Sequence, residues 1–294
     1  MELRATPDDE GARLDAFLAE PLGSRARAQR LIEAGAVLVD GRAAPKRHRL
    51  SAGEVVTVDE PPQAPAPDVP EAAFAVPYRD EHLLVVDKPA GVVVHPARGH
   101  HSGTLAQALA GVAAGGEDAA RAGIVHRLDR DTSGLLVVAR SEAVHRALRN
   151  ALQARAITRE YLALVEGRPP ARTGTIDAPL GRDRRVRTRM STDTDEPRAA
   201  ITHFAIEQAL PRTTLLRVRL ETGRTHQIRA HLRAIDHPVV GDPEYGTAGR
   251  LGLERQFLHA ARLAFDHPVT GERVDVSSPL PEDLRAALAR AAAE

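Results

Sequence analysis

The 294-residue sequence contains no cysteine. A disulfide scaffold, a thiol nucleophile and a thiolate metal site are thereby excluded, and a reducing cytoplasm is the compartment that fits. No apolar run approaches the ~20 residues of a membrane span. Met1 to Arg13 carry charges of both signs and no apolar core, so no secretory signal is expected there. Net charge is lacking as well, with 40 basic residues against 40 acidic ones. That balance argues mildly against a nucleic-acid partner, although a patch rather than a sum attracts phosphate. A phosphate-binding glycine loop with lysine, a dinucleotide fingerprint and a serine elbow are all missing. His95, His100, His101, His126, His226 and His231 are available, but none lies in a dense ligand motif, so no metal site is expected. An enzyme here needs a cofactor-free reaction, and a single carboxylate can run one.

What is present is a folded composition, 43% hydrophobic and 27% charged. A prior of one domain per ~150 residues suggests two units. Pro61, Pro62, Pro65, Pro67, Pro70 and Pro77 mark an extended connector between them. Upstream, Ser24 can cap a helix running to Ala34, with Gly35 as its left-handed stop. Val37 and Val39 alternate toward the turn Asp40-Gly41, and Val55 to Val58 follow as a closing strand. Basic residues gather in two stretches. Arg25, Arg27, Arg30, Arg42, Lys46, Arg47 and Arg49 face only Glu33 and Asp40, and Arg182, Arg184, Arg185, Arg187 and Arg189 face Asp183 alone. Each stretch by itself could be a solvated face in an arginine-rich chain; the two together favour RNA or DNA.

Downstream the pattern is mixed. Strands are expected at Leu83 to Val86, Val92 to Val94, Tyr161 to Val165, Ile201 to Ile206 and Thr214 to Leu220, and helices from Thr104 and from Ser141. The run His126-Arg127-Leu128-Asp129-Arg130-Asp131-Thr132-Ser133-Gly134 sets acidic side chains in a polar turn between apolar segments. A carboxylate so held can be kept in one orientation, as a nucleophile or general base requires. Chemistry alone permits either Asp129 or Asp131. A second constellation spans Thr222 to Leu232. Read as a helix entered from Gly223, it puts Ile228, Leu232 and Ile235 on one face and His226, Arg229 and Arg233 on the other. That second face is either a phosphate or carboxylate cradle or an ordinary solvated basic surface.

Residues 12 to 58, with Ser24-Arg25, Gln29-Arg30-Leu31-Ile32 and Gly35 through Gly41, resemble the S4 RNA-binding domain. Asp40-Gly41 and Gly53-Glu54 stand where that family commonly has Asn-Gly and Gly-Asp, which keeps the turn chemistry. Residues 74 to 281 resemble the RluA-type pseudouridine synthases. The motifs are Asp87-Lys88-Pro89-Ala90-Gly91, His126 to Asp129 with Thr132-Ser133-Gly134, Arg159 to Gly167, Thr222 to His231, Gly241-Asp242, Tyr245-Gly246 and Phe257 to Ala260. With the S4-like unit in front, the whole chain is similar to the subgroup acting on large-subunit ribosomal RNA.

The resemblance implies an α+β architecture. An S4-like unit over 1–58, a Pro-rich linker over 59–73 and a catalytic domain over 74–294, with a mixed, largely antiparallel sheet flanked by helices, are expected. It implies isomerisation of uridine to pseudouridine in RNA without cofactor, metal or membrane, by a chain acting as a monomer. Asp129 matches the catalytic aspartate, Tyr161 the aromatic residue against the target base, and Arg229 the arginine that pairs with the carboxylate. Arg159 stands where lysine is usual. Arg25, Arg27, Arg30, Lys46, Arg47, Arg127, Arg159, Arg224 and His226 are the expected RNA contacts. Two other readings remain, a non-catalytic RNA-binding protein on the same fold and a nucleoside hydrolase that releases free uracil.

Overall fold

A computed structural model describes residues 1–22, 25–59, 74–96, 102–116, 118, 121, 123–186 and 188–294, without the side chains of residues 26, 27 and 30. Ser24, most of the proline connector, His100, His101, Arg187 and the side chains of Arg27 and Arg30 lie outside the described residues.

The first unit comprises β1 (Glu2–Arg4), α1 (Leu14–Phe17), α2 (Arg25–Glu33), β2 (Val37–Val39), β3 (Arg42–Ala43) and β4 (Val55–Val58), with sheet order β1-β4-β2-β3. Asp40 and Gly41 join β2 to β3 with φ of 48° and 74°. A two-residue turn with both φ positive matches the twist of an antiparallel pair, which is why Asp-Gly serves there. Val37, Val39, Val56 and Val58 meet Leu14, Leu18, Ala28 and Ile32 in a small core. Beneath the helices Asp15 is fully buried and accepts hydrogen bonds from Arg13, Arg25 and Gln29. Burial opposes its charge, but these bonds prevail and hold its pKa down to about 2. Arg25, expected to face RNA, is therefore committed to Asp15, although its side chain remains half exposed.

The second unit is built on one nine-stranded sheet ordered β5-β6-β7-β14-β8-β13-β12-β9, with β15 also paired to β14. Its strands are β5 (Ala75–Arg79), β6 (Leu83–Lys88), β7 (Ser133–Ala139), β8 (Thr158–Glu166), β9 (Thr173–Asp177), β12 (Ile201–Ala209), β13 (Thr213–Leu220), β14 (Leu258–Asp266) and β15 (Arg273–Ser277). A separate hairpin pairs β10 (Gly181–Arg182) with β11 (Met190–Ser191). The helices are α3 (Leu105–Ala108), α4 (Glu142–Gln153), α5 (Gln227–Ala234) and α6 (Glu282–Ala292). Strands β6 and β7 are apolar on both faces because both are covered. Leu84, Val86, Leu136 and Val138 join a core with residues of α3, α5 and α6, while Leu83, Val85, Leu135 and Val137 pack with Val144 and Leu148 of α4.

Two expected elements differ. Val92 to Val94 is not a strand, because its backbone is already occupied. Val93 and Val94 carbonyls accept from the first N–H groups of α3, and the Val92 carbonyl accepts from Lys88. The helix of the second constellation, α5, starts at Gln227 rather than near Gly223. His226 has φ of 53°, which stops helix propagation, and Gln227 Oε1 folds back to accept from Arg224 N–H and the Thr222 hydroxyl.

The centre of the sheet departs from the antiparallel pairing of its other strands. β7 runs parallel to β14 over two positions, His259 opposite Ser133 and Ala260 opposite Gly134. Gly134 has φ of 111°, and a Cβ there would lie 2.3 Å from the Ala260 carbonyl oxygen. Only glycine allows the two backbones this close. Ala260 also pairs with Tyr161 of β8, so the start of β7 lies directly across β14 from Tyr161. Gly134→Ala is expected to lower the unfolding free energy by more than about 2 kcal/mol, measured by urea denaturation; an unchanged midpoint would contradict the close approach.

Candidate active site

Asp129 lies in the loop leading into β7, Tyr161 on β8 and Arg229 on α5, and all three line one cavity of about 560 Å³. Arg229 is the hub. Its Nε and Nη2 donate to the two oxygens of Asp242 at 2.6 and 2.8 Å, Nη2 also to Glu244 at 3.0 Å, and Nη1 to Asp129 at 3.3 Å. Asp242 is fully buried, and its Oδ1 also accepts the backbone N–H groups of Glu244 and Tyr245. Burial disfavours charge on Arg229 and Asp242 alike, yet their bidentate contact outweighs it, raising the pKa of one and lowering that of the other. The face of α5 holding Arg229 is therefore an interior ion-pair surface, not a solvated basic one; Arg233 is the exposed residue.

The aromatic ring of Tyr245 lies 4.9 Å from the Arg229 guanidinium and limits its swing. The Tyr245 hydroxyl accepts from Met190 N–H at 2.7 Å and shares a hydrogen bond of 3.0 Å with His226 Nδ1, which also lies 3.4 Å from the Glu244 carboxylate. His226 is thus an N-terminal neighbour of α5 rather than part of its helical face, and burial lowers its pKa.

The loop carrying Asp129 is fixed by its backbone. Lys88 is wholly buried, and its ammonium donates to the carbonyls of Pro89, Val92 and Arg130 at 2.8, 2.9 and 2.8 Å. Burial pushes its pKa down to about 7, while Asp131 and Asp129 favour its charge. Arg255 donates to the Asp131 carbonyl, and Gln256 to the Thr132 hydroxyl. The two loop carboxylates are now distinguishable. Asp131 turns to Arg130, whose Nη2 is 2.9 Å away, whereas Asp129 faces Arg229 and the cavity that contains Tyr161.

The remaining expected contacts divide. Arg127, Arg159, Arg224 and His226 also line this cavity. Arg127 and Arg224 are exposed, with Arg224 donating to the Ala199 carbonyl, while Arg159 is buried. Arg47 is exposed on the first unit, and Lys46 there is paired with Glu33 at 2.8 Å. Among the described residues no group of three histidine or acidic side chains is placed to hold a metal ion. Residues that sequence reasoning did not assign to the site are Lys88, Asp242, Glu244, Tyr245, Arg255 and Gln256. Lys88, Asp242 and Tyr245 lay inside recognised motifs without a role; Arg255 and Gln256 carried no signal.

Comparison with known proteins gives the family. Residues 82–234 match the RNA pseudouridylate synthase family model, and residues 12–56 match the S4 domain. The chain belongs to the RNA pseudouridylate synthase family. A relative from Chloroflexus aurantiacus, named an uncharacterized RNA pseudouridine synthase, is 49% identical over 96% of this chain and 90% of its own. The ribosomal large subunit pseudouridine synthase D of Xanthomonas campestris is 44% identical over 94% of this chain and 87% of its own. The solved human RNA pseudouridylate synthase domain containing 1 superposes with a TM-score of 0.57 at 29% identity, covering 76% of this chain and 86% of that one. The activity of the family is RNA pseudouridine synthesis, and the S4 domain supplies a second RNA-binding element.

Two measurements test the site's construction. Lys88→Met removes the shared donor of three carbonyls and is expected to slow turnover by about tenfold or more and to cost about 1–3 kcal/mol of stability; wild-type turnover in a folded variant would contradict the tether. Burial of the His126 ring pushes its pKa from 6.5 to about 3, and burial of the His95 ring pushes its pKa to about 4. Below pH 6.5 the unfolded chain binds protons that these rings in the folded chain do not. Their stabilising contribution is therefore complete above pH 6.5 and falls on acidification by about 1.4 kcal/mol per pH unit per group. Urea midpoints of wild type and His126→Gln between pH 7 and 4 are expected to converge as the pH falls; parallel curves would contradict the buried neutral ring.

Proposed function

We propose that this chain converts specific uridines of large-subunit ribosomal RNA to pseudouridine, with Asp129 as the catalytic carboxylate and no cofactor. The reading rests above all on the convergence of Asp129, Arg229 and Tyr161 on one cavity in a member of this family. The ribosomal substrate is supported by relatives named for the large ribosomal subunit and similar over nearly the whole length of both chains. In this reading residues 1–58 grip RNA, 59–73 connect, and 74–294 carry out the reaction in a monomer.

The chemistry is redox-neutral. The C1′–N1 bond of uridine breaks, the base turns, a C1′–C5 bond forms, and C5 loses a proton while N1 gains one. No atom is added or removed overall, so the reaction calls for a positioned carboxylate and a pocket rather than a group donor. Arg229 holds the carboxylate of Asp129 toward the cavity and, locked by Asp242, cannot follow a departing group. The ring of Tyr161 offers a surface that replaces the stacking lost when the base leaves its helix. Arg127 and Arg224, exposed at the same cavity, are suited to phosphates beside the extruded nucleotide.

The test is to incubate unmodified ribosomal RNA with wild type and with Asp129→Asn, then map pseudouridine by chemical labelling and reverse-transcription stops. Stops at a few large-subunit uridines are expected with wild type, and a loss of about a thousandfold or more in rate with Asp129→Asn. Equal rates would remove Asp129 from the mechanism, and release of free uracil in place of stops would make the protein a hydrolase.

A further inference from the structure

Three buried nitrogen atoms on residues of this cavity, His95 Nδ1, His126 Nδ1 and Arg159 Nε, have no hydrogen-bond partner among the described residues and no part in the Asp129–Arg229 arrangement, and the local contacts assign two of them, His126 Nδ1 and Arg159 Nε, as donors. Buried polar groups are almost always paired, and an unpaired donor costs about 1–3 kcal/mol. Unmet donors on residues that line the cavity of Asp129 therefore point to a partner on the substrate.

Both atoms are donors by construction. Arg159 Nε carries its hydrogen at any working pH. Val137 N–H donates to His126 Nε2 at 3.2 Å, so that nitrogen is the acceptor and the proton of the neutral ring sits on Nδ1. Burial, assisted by the charge of Arg159, keeps the ring neutral. The Arg159 side chain is held only loosely elsewhere, with Nη2 at 3.4 and 3.5 Å from the Glu221 and Thr222 carbonyls. Gly223 leaves room for it, since a Cβ at that position would stand 2.9 Å from Nη1.

Resting on the pseudouridine reading above, we propose that His126 Nδ1–H and Arg159 Nε–H together receive a carbonyl oxygen of the target uracil. Once the C1′–N1 bond breaks, its electron pair stays with the base, and no covalent link holds that base in the pocket. Its carbonyl oxygens carry the resulting negative charge, and donors that include a guanidinium bind that form more strongly than the neutral one. The pair thus keeps the freed base in place while C5 is brought to C1′.

The two histidine replacements separate this role from a structural one. His126→Gln can still accept from Val137 but offers no donor at the δ position, whereas His126→Asn offers a δ amide and gives up the Val137 contact. Single-turnover rates on unmodified ribosomal RNA are expected to fall by about tenfold or more for His126→Gln and Arg159→Met. His126→Asn should be faster than His126→Gln despite a lower Tm, and Arg159→Lys should recover part of the loss. Wild type should also be slowed by sulfur in place of one base oxygen, tried with 2-thiouridine and 4-thiouridine at the target. Wild-type rates in His126→Gln and Arg159→Met, rates that merely follow Tm, or indifference to sulfur at both positions would each overturn the proposal. A wild-type protein that makes no pseudouridine would instead bring down the reading on which it rests.

Discussion

Asp242 holds the Arg229 guanidinium in a two-pronged grip inside the protein, with the carboxylate fully excluded from solvent and two backbone N–H groups completing its shell. An ion pair this deep is poor evidence of stability, because desolvation offsets much of the attraction, but losing either partner strands a buried charge at a cost of about 3–5 kcal/mol. Its value here is geometric. A guanidinium fixed along one edge presents its remaining nitrogen, Nη1, in one direction, and Asp129 lies there. Tyr245 against the guanidinium face and Glu244 on Nη2 remove the other ways it could turn.

The carboxylate side is fixed by different means. Lys88, Arg255 and Gln256 hold the loop from Arg130 to Thr132 by its carbonyls and a hydroxyl, and among the described residues Arg229 is the hydrogen-bond partner of the Asp129 side chain. The loop runs directly into β7, whose parallel approach to β14 depends on Gly134. The same β14 carries Ala260 opposite Tyr161. Backbone packing at the centre of the sheet thereby sets the distance between the acidic loop and the aromatic surface. Asp129, Tyr161 and Arg229 come from three separate segments, and the Asp129 loop and Arg229 are braced by residues that do not line the cavity they share.

Much of this was legible in the sequence, for identifiable reasons. The alternation of Val37 and Val39, the Asp40-Gly41 turn and the Ser141 cap are local signals, and local structure obeys them. Motif agreement located Asp129, Tyr161 and Arg229, and the fold brings them together. Interactions that depend on distant partners were not legible. Helical spacing placed Arg229 on a wet face because periodicity cannot see Asp242, thirteen residues on and folded back against it. Arg25 read as an RNA contact because nothing local announces the buried Asp15 beneath it. Val92 to Val94 read as a strand because apolar residues carry no mark of a lysine and a helix end claiming their carbonyls.

The central claim is that the Asp242–Arg229 pair positions Asp129 for chemistry. Asp242 does not line the cavity and reaches it through Arg229 and the turn to Tyr245 that it also holds, so the most direct measurement is the steady-state kinetics of Asp242→Asn, taken at a temperature where circular dichroism shows the variant folded. In that variant kcat is expected to fall by about a hundredfold or more while KM for RNA changes by less than about threefold. A folded Asp242→Asn protein with wild-type kcat would contradict it.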